Sequence, residues 1–110
     1  MIDWNHVRTL QQEVGPEDFE KLVPLFFSEI DSAVKRVSRS NTPAQLARDL
    51  HFLRSGALNL GFSDLSALCA EGEMQAENGE GDTVDLAAIE SCYVSSKKQF
   101  LDGLRDLDAA

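Results

Sequence analysis

The apolar residues of this chain recur at steps of three and four residues in one segment after another, which is the period of one face of an α-helix. The longest such stripe follows Pro16 and comprises Phe19, Leu22, Val23, Phe26, Ile30, Ala33 and Val37. No segment alternates apolar and polar residues between turn signals, as the strands of a hairpin would. The pattern therefore predicts an all-α fold.

Glycine and proline residues divide the chain into predicted helices. The first helix is expected over Asp3 to Glu13, and Gly15 ends it. Pro16 suits the first position of the second helix, whereas Pro24 lacks an amide proton and is expected to kink or break it.

The third helix has the clearest start, because Thr42-Pro43-Ala44-Gln45 forms a capping box. Its inward stripe is Leu46, Leu50, Leu53, Ala57 and Leu60. Gly61 has a structural role, because it is expected to end the helix. A fourth helix is expected to turn Leu65, Leu68 and Cys69 inward. The last helix is expected from Thr83 to Leu107, burying Leu86, Ile89, Tyr93, Phe100 and Leu104.

Short connections make neighbouring helices antiparallel. With 43% hydrophobic residues, the chain can bury a substantial core. We therefore expect residues 1–110 to form one domain, an antiparallel up-down four-helix bundle with the short N-terminal helix capping one end.

Charge and composition exclude several classes of function. A net charge of −9 argues against binding nucleic acid or an anionic membrane, because phosphates would be repelled. No apolar run approaches the ~18 residues of a membrane span, and the start lacks the pattern of a secretory signal. A cytoplasmic location is expected, with Cys69 and Cys92 as buried reduced thiols.

His51 is the candidate site residue that helical geometry selects. At ~100° per residue, it points ~140° away from the inward stripe of its helix, toward solvent. Its predicted neighbours are mostly small or apolar: Ala44, Ala47, Arg54, Ser55 and Leu58. Such a face suits the docking of another protein. The other histidine, His6, is expected to be a surface residue, and Trp4 a packing residue.

The run from His51 to Gly61, continuing through Leu65, Leu68 and Cys69 to Glu73, resembles the signature of the histidine-containing phosphotransfer (HPt) domain family. Weaker likeness extends to Phe26 and Phe27. The resemblance implies that Nε2 of His51 takes a phosphoryl group from an aspartyl phosphate on a receiver domain of a response regulator or hybrid kinase. The group would then pass to an aspartate of another receiver.

The resemblance also implies roles for the surroundings of His51. Arg54 and Ser55 would stabilise the phosphoryl group, and Ala44, Ala47 and Leu58 would form the receiver-docking surface. The receiver would supply Mg²⁺, so that the chain itself needs no metal or other cofactor. Without a nucleotide-binding segment, the chain is expected to be a carrier without autokinase activity, and a monomer suffices for that role.

The sequence departs from the family pattern close to the histidine. Arg54 stands where lysine is usual, and its fork can hold two phosphate oxygens. Ser55 and Gly56 invert the usual glycine-serine pair, so Ser55 either donates a hydrogen bond to the phosphate or obstructs the partner. Gly72 replaces a leucine, which is expected to loosen the fourth helix.

Two other readings of the sequence stay open. The domain could be a degenerate HPt-like interaction module that binds a kinase or receiver without transfer, which Ser55 makes credible. A metal-dependent enzyme that uses His6 or His51 with acidic residues is the second alternative, although His6 has no partner at metal-ligand spacing.

Overall fold

The computed structural model of the protein describes residues 2–109, with side chains through residue 106. Its helices are α1 (Trp4–Val14), α2 (Pro16–Arg39), α3 (Pro43–Leu60), α4 (Ser63–Glu77) and α5 (Leu86–Ala109), with a 3₁₀ turn at Gly81–Thr83. Over the described range there is no β-strand, only an isolated bridge between Ile2 and Phe62. The all-α prediction is confirmed. None of these helices is long and apolar enough to cross a membrane.

The junction between α1 and α2 forms where the sequence predicts it. The carboxylate of Asp3 accepts a hydrogen bond from the backbone amide of His6 at 3.2 Å and so caps α1. Gly15 ends this helix at φ +87°, and Pro16 begins the next. Pro24 does not break α2, which continues to Arg39, and its ring lies at the exposed surface. The loss of one backbone hydrogen bond is offset there by the buried side chains on either side, Val23 and Phe27.

Phe27, rather than Phe26, carries the aromatic contact of α2 with the core. Its ring centroid lies 6.2 Å from that of Phe62 and 5.6 Å from that of Phe100. Phe26 packs against the core but, like Leu22, is only partly buried, so the predicted stripe is met in part at these two positions. At 100° per residue, Phe27 follows Val23 and precedes Ile30 on the same inward line, whereas Phe26 lies at its margin.

The turn between α3 and α4 also anchors the start of the chain. Gly61 adopts the left-handed conformation at φ +76°, and its amide bonds to the carbonyl of Leu58 at 3.1 Å. The carbonyl of Gly61 accepts the amide of Asp3 at 2.7 Å. A Cβ at Gly61 would lie 2.9 Å from the carbonyl oxygen of Asp3, so both backbone conformation and space favour glycine. His6 is exposed, as predicted, yet its Nε2 bonds to the Asn59 carbonyl at 2.8 Å.

The last helix begins three residues later than predicted. The carboxylate of Asp85 accepts the amide of Ala88 at 3.0 Å, which makes Asp85 the cap and Leu86 the first helical residue. Leu86 is 36% exposed, so its predicted burial was wrong. Val84, before the cap, packs against the core instead. Ile89, Tyr93 and Phe100 are buried as predicted, and Leu104 is partly buried.

Trp4 and Gly72 both lie at close contacts between helices or with the residues that precede α5. Trp4 stacks on Phe100 with centroids 5.8 Å apart, which confirms its packing role. Helix α4 runs unbroken through Gly72, and a Cβ there would lie 3.1 Å from Leu50 and 3.2 Å from Val84. The glycine that was expected to loosen α4 therefore lets two apolar side chains approach its backbone.

Candidate functional site around His51

Helix α3 presents His51 to solvent because its opposite face is held in the core. The five stripe residues, Leu46, Leu50, Leu53, Ala57 and Leu60, are all buried. The side chain of His51 is 57% exposed, so the predicted outward direction is confirmed. Ala44 and Leu58 stand seven residues before and after it, about two helical turns away along the same face, and both are exposed.

The imidazole is held at one nitrogen by residues of two helices. Nδ1 of His51 lies 2.9 Å from Oε1 of Glu73 on α4. Nη2 of Arg54, one turn further along α3, lies 2.8 Å from the same nitrogen. Nε2 has no hydrogen-bond partner among the residues that the structure describes.

These two contacts of Nδ1 correspond to different tautomers of the neutral ring. A neutral imidazole carries its proton on one nitrogen only. When that proton is on Nδ1, the ring donates to Glu73 and Nε2 keeps its lone pair. When Arg54 donates to Nδ1 instead, the proton lies on Nε2 and the outer nitrogen is not nucleophilic. The carboxylate and the guanidinium thus favour opposite tautomers, and Glu73 favours the reactive one.

Arg54 and Glu73 also contact each other. Nε of Arg54 lies 3.1 Å from Oε2 of Glu73, an ion pair whose N–H direction does not meet hydrogen-bond geometry. The side chains are 32% and 15% exposed, respectively. Glu73 is largely shielded from water, and the two basic side chains beside it provide its polar contacts. The three residues form one connected cluster across α3 and α4.

Ser55 lies one helical turn after His51 and bonds to its backbone. Its hydroxyl donates to the backbone carbonyl of His51 at 3.1 Å, the usual bond of a helical serine to the preceding turn. Its side chain also lines the same surface cavity as His51.

That cavity opens on the exposed side of His51. Its volume is about 400 Å³, and its walls are Ala47, Arg48, His51, Phe52, Ser55, Glu73 and Glu77. The structure thus brings Ala47 and Ser55 together with the histidine, whereas Ala44 and Leu58 lie outside the cavity. Within the described range, no group of three or more His, Cys, Asp or Glu side chains is arranged to hold a metal ion.

Three residues of this region were not predicted from the sequence: Glu73, Phe52 and Arg36. Glu73 lay within the recognised motif but had no assigned role, since its approach to Nδ1 depends on the α3–α4 packing. Phe52 is 50% exposed beside His51, and the guanidinium carbon of Arg36 lies 4.7 Å from its ring centroid. An apolar residue on the polar face of α3 was the available signal for Phe52.

Cys69 is buried on α4 close to this cluster. The pKa of its thiol is raised from the ordinary 9.0 to about 12, mainly by burial and further by the nearby Cys92 and Glu73, whereas Arg54 acts to lower it. Both cysteines are free thiols, but Cys92 is only partly buried, so the prediction of burial is fully met at Cys69 alone.

A small helical domain that presents one solvent-facing imidazole, held at its inner nitrogen, fits the class of proteins that carry a group on a side chain. The model of the Hpt domain family matches residues 5–110. The chain belongs to the Hpt domain family, whose members are phosphotransfer carriers of two-component signalling rather than kinases. Comparisons with curated proteins and with solved structures gave no match.

Proposed function

We propose that this protein accepts a phosphoryl group on Nε2 of His51 from the aspartyl phosphate of a receiver domain and passes it to the aspartate of another receiver. The observation that carries this proposal is the asymmetry of the imidazole. Nδ1 is engaged by Glu73, while the described residues provide no hydrogen-bond partner for Nε2, and the side chain is 57% exposed. A phosphoryl acceptor needs a free lone pair in this position.

In the proposed transfer, the lone pair of Nε2 forms a bond to phosphorus as the bond from phosphorus to the aspartyl oxygen breaks. The proton on Nδ1 stays hydrogen-bonded to Glu73, which offsets the positive charge that develops on the ring. Arg54 is near enough to bind phosphoryl oxygens with its fork. Transfer to the next receiver reverses these steps. The receiver supplies Mg²⁺ and its own carboxylates, and the chain needs no nucleotide, so it does not phosphorylate itself.

The proposed receiver-docking surface comprises Ala44, Ala47 and Leu58 around the cavity of His51. Ala44 and Leu58 are exposed, and Ala47 is half-buried. Small side chains leave room for another protein to approach the imidazole. Docking has to be weak and transient, because a carrier must leave each partner. A monomer suffices for this cycle.

We further propose that residues 1–110 form one domain in which α2 to α5 run up and down as an antiparallel four-helix bundle, with α1 covering one end. Contacts between helices run in opposite chain order, which supports this arrangement. Along α2 and α3, Ile30 approaches Gly56 and Arg36 approaches Phe52. Along α2 and α5, Phe27 meets Phe100 and Asp31 bonds to Tyr93.

Incubation with phosphorylated receivers and Mg²⁺ tests the function. We expect label on the protein that is acid-labile and base-stable, as a phosphohistidine is, and none on a His51→Gln variant that retains its helicity. His6→Gln is the matched control and should keep the label. Equal label on His51→Gln would refute the site. Absence of label with every receiver of the source genome, combined with stable receiver binding, would support the interaction module instead.

A further inference from the structure

The positive charge of this acidic chain is concentrated around His51. Residues 35–54 contain five of the ten basic residues and one of the nineteen acidic ones. The basic residues are Lys35, Arg36, Arg39, Arg48 and Arg54, and the acidic residue is Asp49. This stretch covers the end of α2 and most of α3, so the candidate phosphoryl site lies in a cationic part of a chain whose net charge is −9.

The charge reverses on the α4 side of the histidine. From Ser63 to Asp85 there are seven acidic residues and no lysine or arginine: Asp64, Glu71, Glu73, Glu77, Glu80, Asp82 and Asp85. Two of them, Glu73 and Glu77, form a wall of the cavity at His51. The imidazole therefore stands at the boundary between a basic α2–α3 side and an acidic α4 side.

The basic side also carries an exposed aromatic residue. Phe52 is 50% exposed on α3, and the guanidinium of Arg36 on α2 stacks over it at 4.7 Å. Its ring borders the cavity of His51 and two further surface cavities between α2 and α3, of about 140 and 250 Å³. Those cavities are also lined by the acidic residue Glu29, together with Ser32 and Gly56. Phe52 is thus an exposed apolar side chain between surface cavities that can bind side chains of a partner.

We propose that Arg36 and Phe52 anchor a receiver with an acidic phosphoacceptor face, which lies over the α2–α3 edge and away from α4. The inference rests on the proposed function and names the side of His51 from which the partner approaches. An acidic face is attracted by the basic stretch and repelled by α4, and such steering weakens with salt. Exposed aromatic and arginine side chains are the residues that most often dominate the binding energy of protein interfaces.

Single-turnover transfer from a phosphorylated receiver, measured at increasing protein concentration, tests the anchor. We expect Phe52→Ala and Arg36→Glu each to raise the half-saturating concentration by about tenfold, the loss typical of a dominant interface residue. The maximal rate should stay unchanged, because the polar contacts of the imidazole come from Glu73 and Arg54. Arg36→Glu should also reduce the dependence of the half-saturating concentration on salt.

Matched variants separate the two sides of the molecule. Met74→Ala removes an exposed apolar residue from α4, one position after Glu73, and Lys98→Glu makes the same charge change on α5. Both should leave the half-saturating concentration within about twofold, since surface contacts outside an interface contribute little. Circular dichroism should show that all four variants fold.

Two results overturn the anchor while leaving the carrier function intact. One is a half-saturating concentration equal to that of the wild-type protein in both Phe52→Ala and Arg36→Glu. The other is equal weakening by Met74→Ala, which would place the receiver over α4. Failure of the wild-type protein to accept label from any receiver would refute the proposed function and the anchor together, so the two failures are distinguishable.

Discussion

His51 and Glu73 lie 22 positions apart in the sequence, yet Nδ1 of the imidazole and Oε1 of the carboxylate are 2.9 Å apart. The contact joins the outward face of α3 to α4 and occupies the inner nitrogen of the ring. Because a carboxylate accepts and does not donate, it favours the tautomer with the proton on Nδ1. The reactivity of His51 thus depends on how α4 packs beside α3.

Replacement of Glu73 by alanine should slow phosphoryl transfer without removing the acceptor. The variant loses the group that selects the reactive tautomer, and Arg54 then favours the unreactive one. A hydrogen bond to a charged group contributes about 1.5–3 kcal/mol, which corresponds to a slowing of about 10- to 100-fold. Single-turnover transfer measures the rate, and ¹⁵N chemical shifts of the imidazole report the tautomer directly.

Two controls distinguish this positioning role from a general effect on the cavity. Glu73→Gln keeps an acceptor oxygen and should restore part of the rate and of the Nδ1–H population. Glu77→Gln removes a charge from the same cavity wall and should leave both near wild type. An unchanged tautomer population in Glu73→Ala would contradict the assignment.

Arg54 should affect both stability and transfer. Its removal leaves Glu73, 15% exposed, with His51 as its remaining basic neighbour. We expect Arg54→Ala to lower the free energy of unfolding by about 1 kcal/mol, the upper end of the range for a partly exposed ion pair. It should also slow transfer, because no fork remains for the phosphoryl oxygens. Urea unfolding and transfer assays measure the two effects.

Two further variants, Arg54→Lys and Arg48→Ala, serve as controls for Arg54→Ala. Arg54→Lys should recover part of the transfer rate, since it restores the charge but not the fork. Arg48→Ala alters an exposed residue of the same cavity and should not change the free energy of unfolding by more than about 0.5 kcal/mol. If Arg54→Ala has the same free energy of unfolding as the wild-type protein, the ion pair with Glu73 contributes nothing to folding.

The sequence predicted the helices well because their signals are local. The cap at Thr42, the left-handed Gly61 and the start at Pro16 each depend on a few neighbouring residues. The errors concern which residues are buried and where α5 begins, because both depend on contacts with other helices or on a local cap. Phe26 and Phe27 are adjacent and equally apolar, and the stripe was assigned to Phe26, whereas the contacts with Phe62 and Phe100 are made by Phe27. At α5, the cap at Asp85 overrides the earlier start at Thr83 that the pattern suggested.

The candidate site was predictable in part for the same reason. The direction of His51 and the nearness of Arg54 follow from the helical repeat within α3. The role of Glu73 does not, because it comes from another helix, and neither does the stacking of Arg36 on Phe52. The hydroxyl of Ser55 could turn to a phosphate or to the backbone, and the structure shows it bonded to the His51 carbonyl.

Substitutions at Ser55 can separate obstruction of the partner from a contact with the phosphate. Since the hydroxyl is engaged by the backbone, we expect Ser55→Ala to transfer within about twofold of wild type, whereas Ser55→Gly opens the cavity and transfers faster. Glycine should reduce helix stability by up to about 1 kcal/mol. A loss of rate in both variants would indicate instead that the hydroxyl binds the phosphoryl group. Transfer rates and melting temperatures provide the readouts.

Enlarging Gly72 tests the close packing of α4. A leucine has to displace Leu50 and Val84, whose side chains would lie 3.1 and 3.2 Å from the new Cβ. We expect Gly72→Leu to lower the free energy of unfolding by about 1–3 kcal/mol, as overpacking usually does. Ala67→Leu makes a comparable enlargement on the exposed face of α4 and should be nearly neutral. If Gly72→Leu stabilises the protein, the glycine loosens the helix after all.

The two cysteines should differ in their reactivity toward a thiol reagent. A rise in the pKa of Cys69 from 9.0 to about 12 lowers its thiolate fraction at pH 8 by roughly 1,000-fold, and the thiolate is the reacting species. Cys92, which is only partly buried, should therefore be labelled first in the folded protein. Because folding raises the Cys69 pKa, the stabilisation from its protonated thiol is complete below about pH 9 and declines as pH rises toward 12. Labelling of Cys69→Ala and Cys92→Ala assigns the two rates, and equal rates in the folded state would contradict the burial of Cys69.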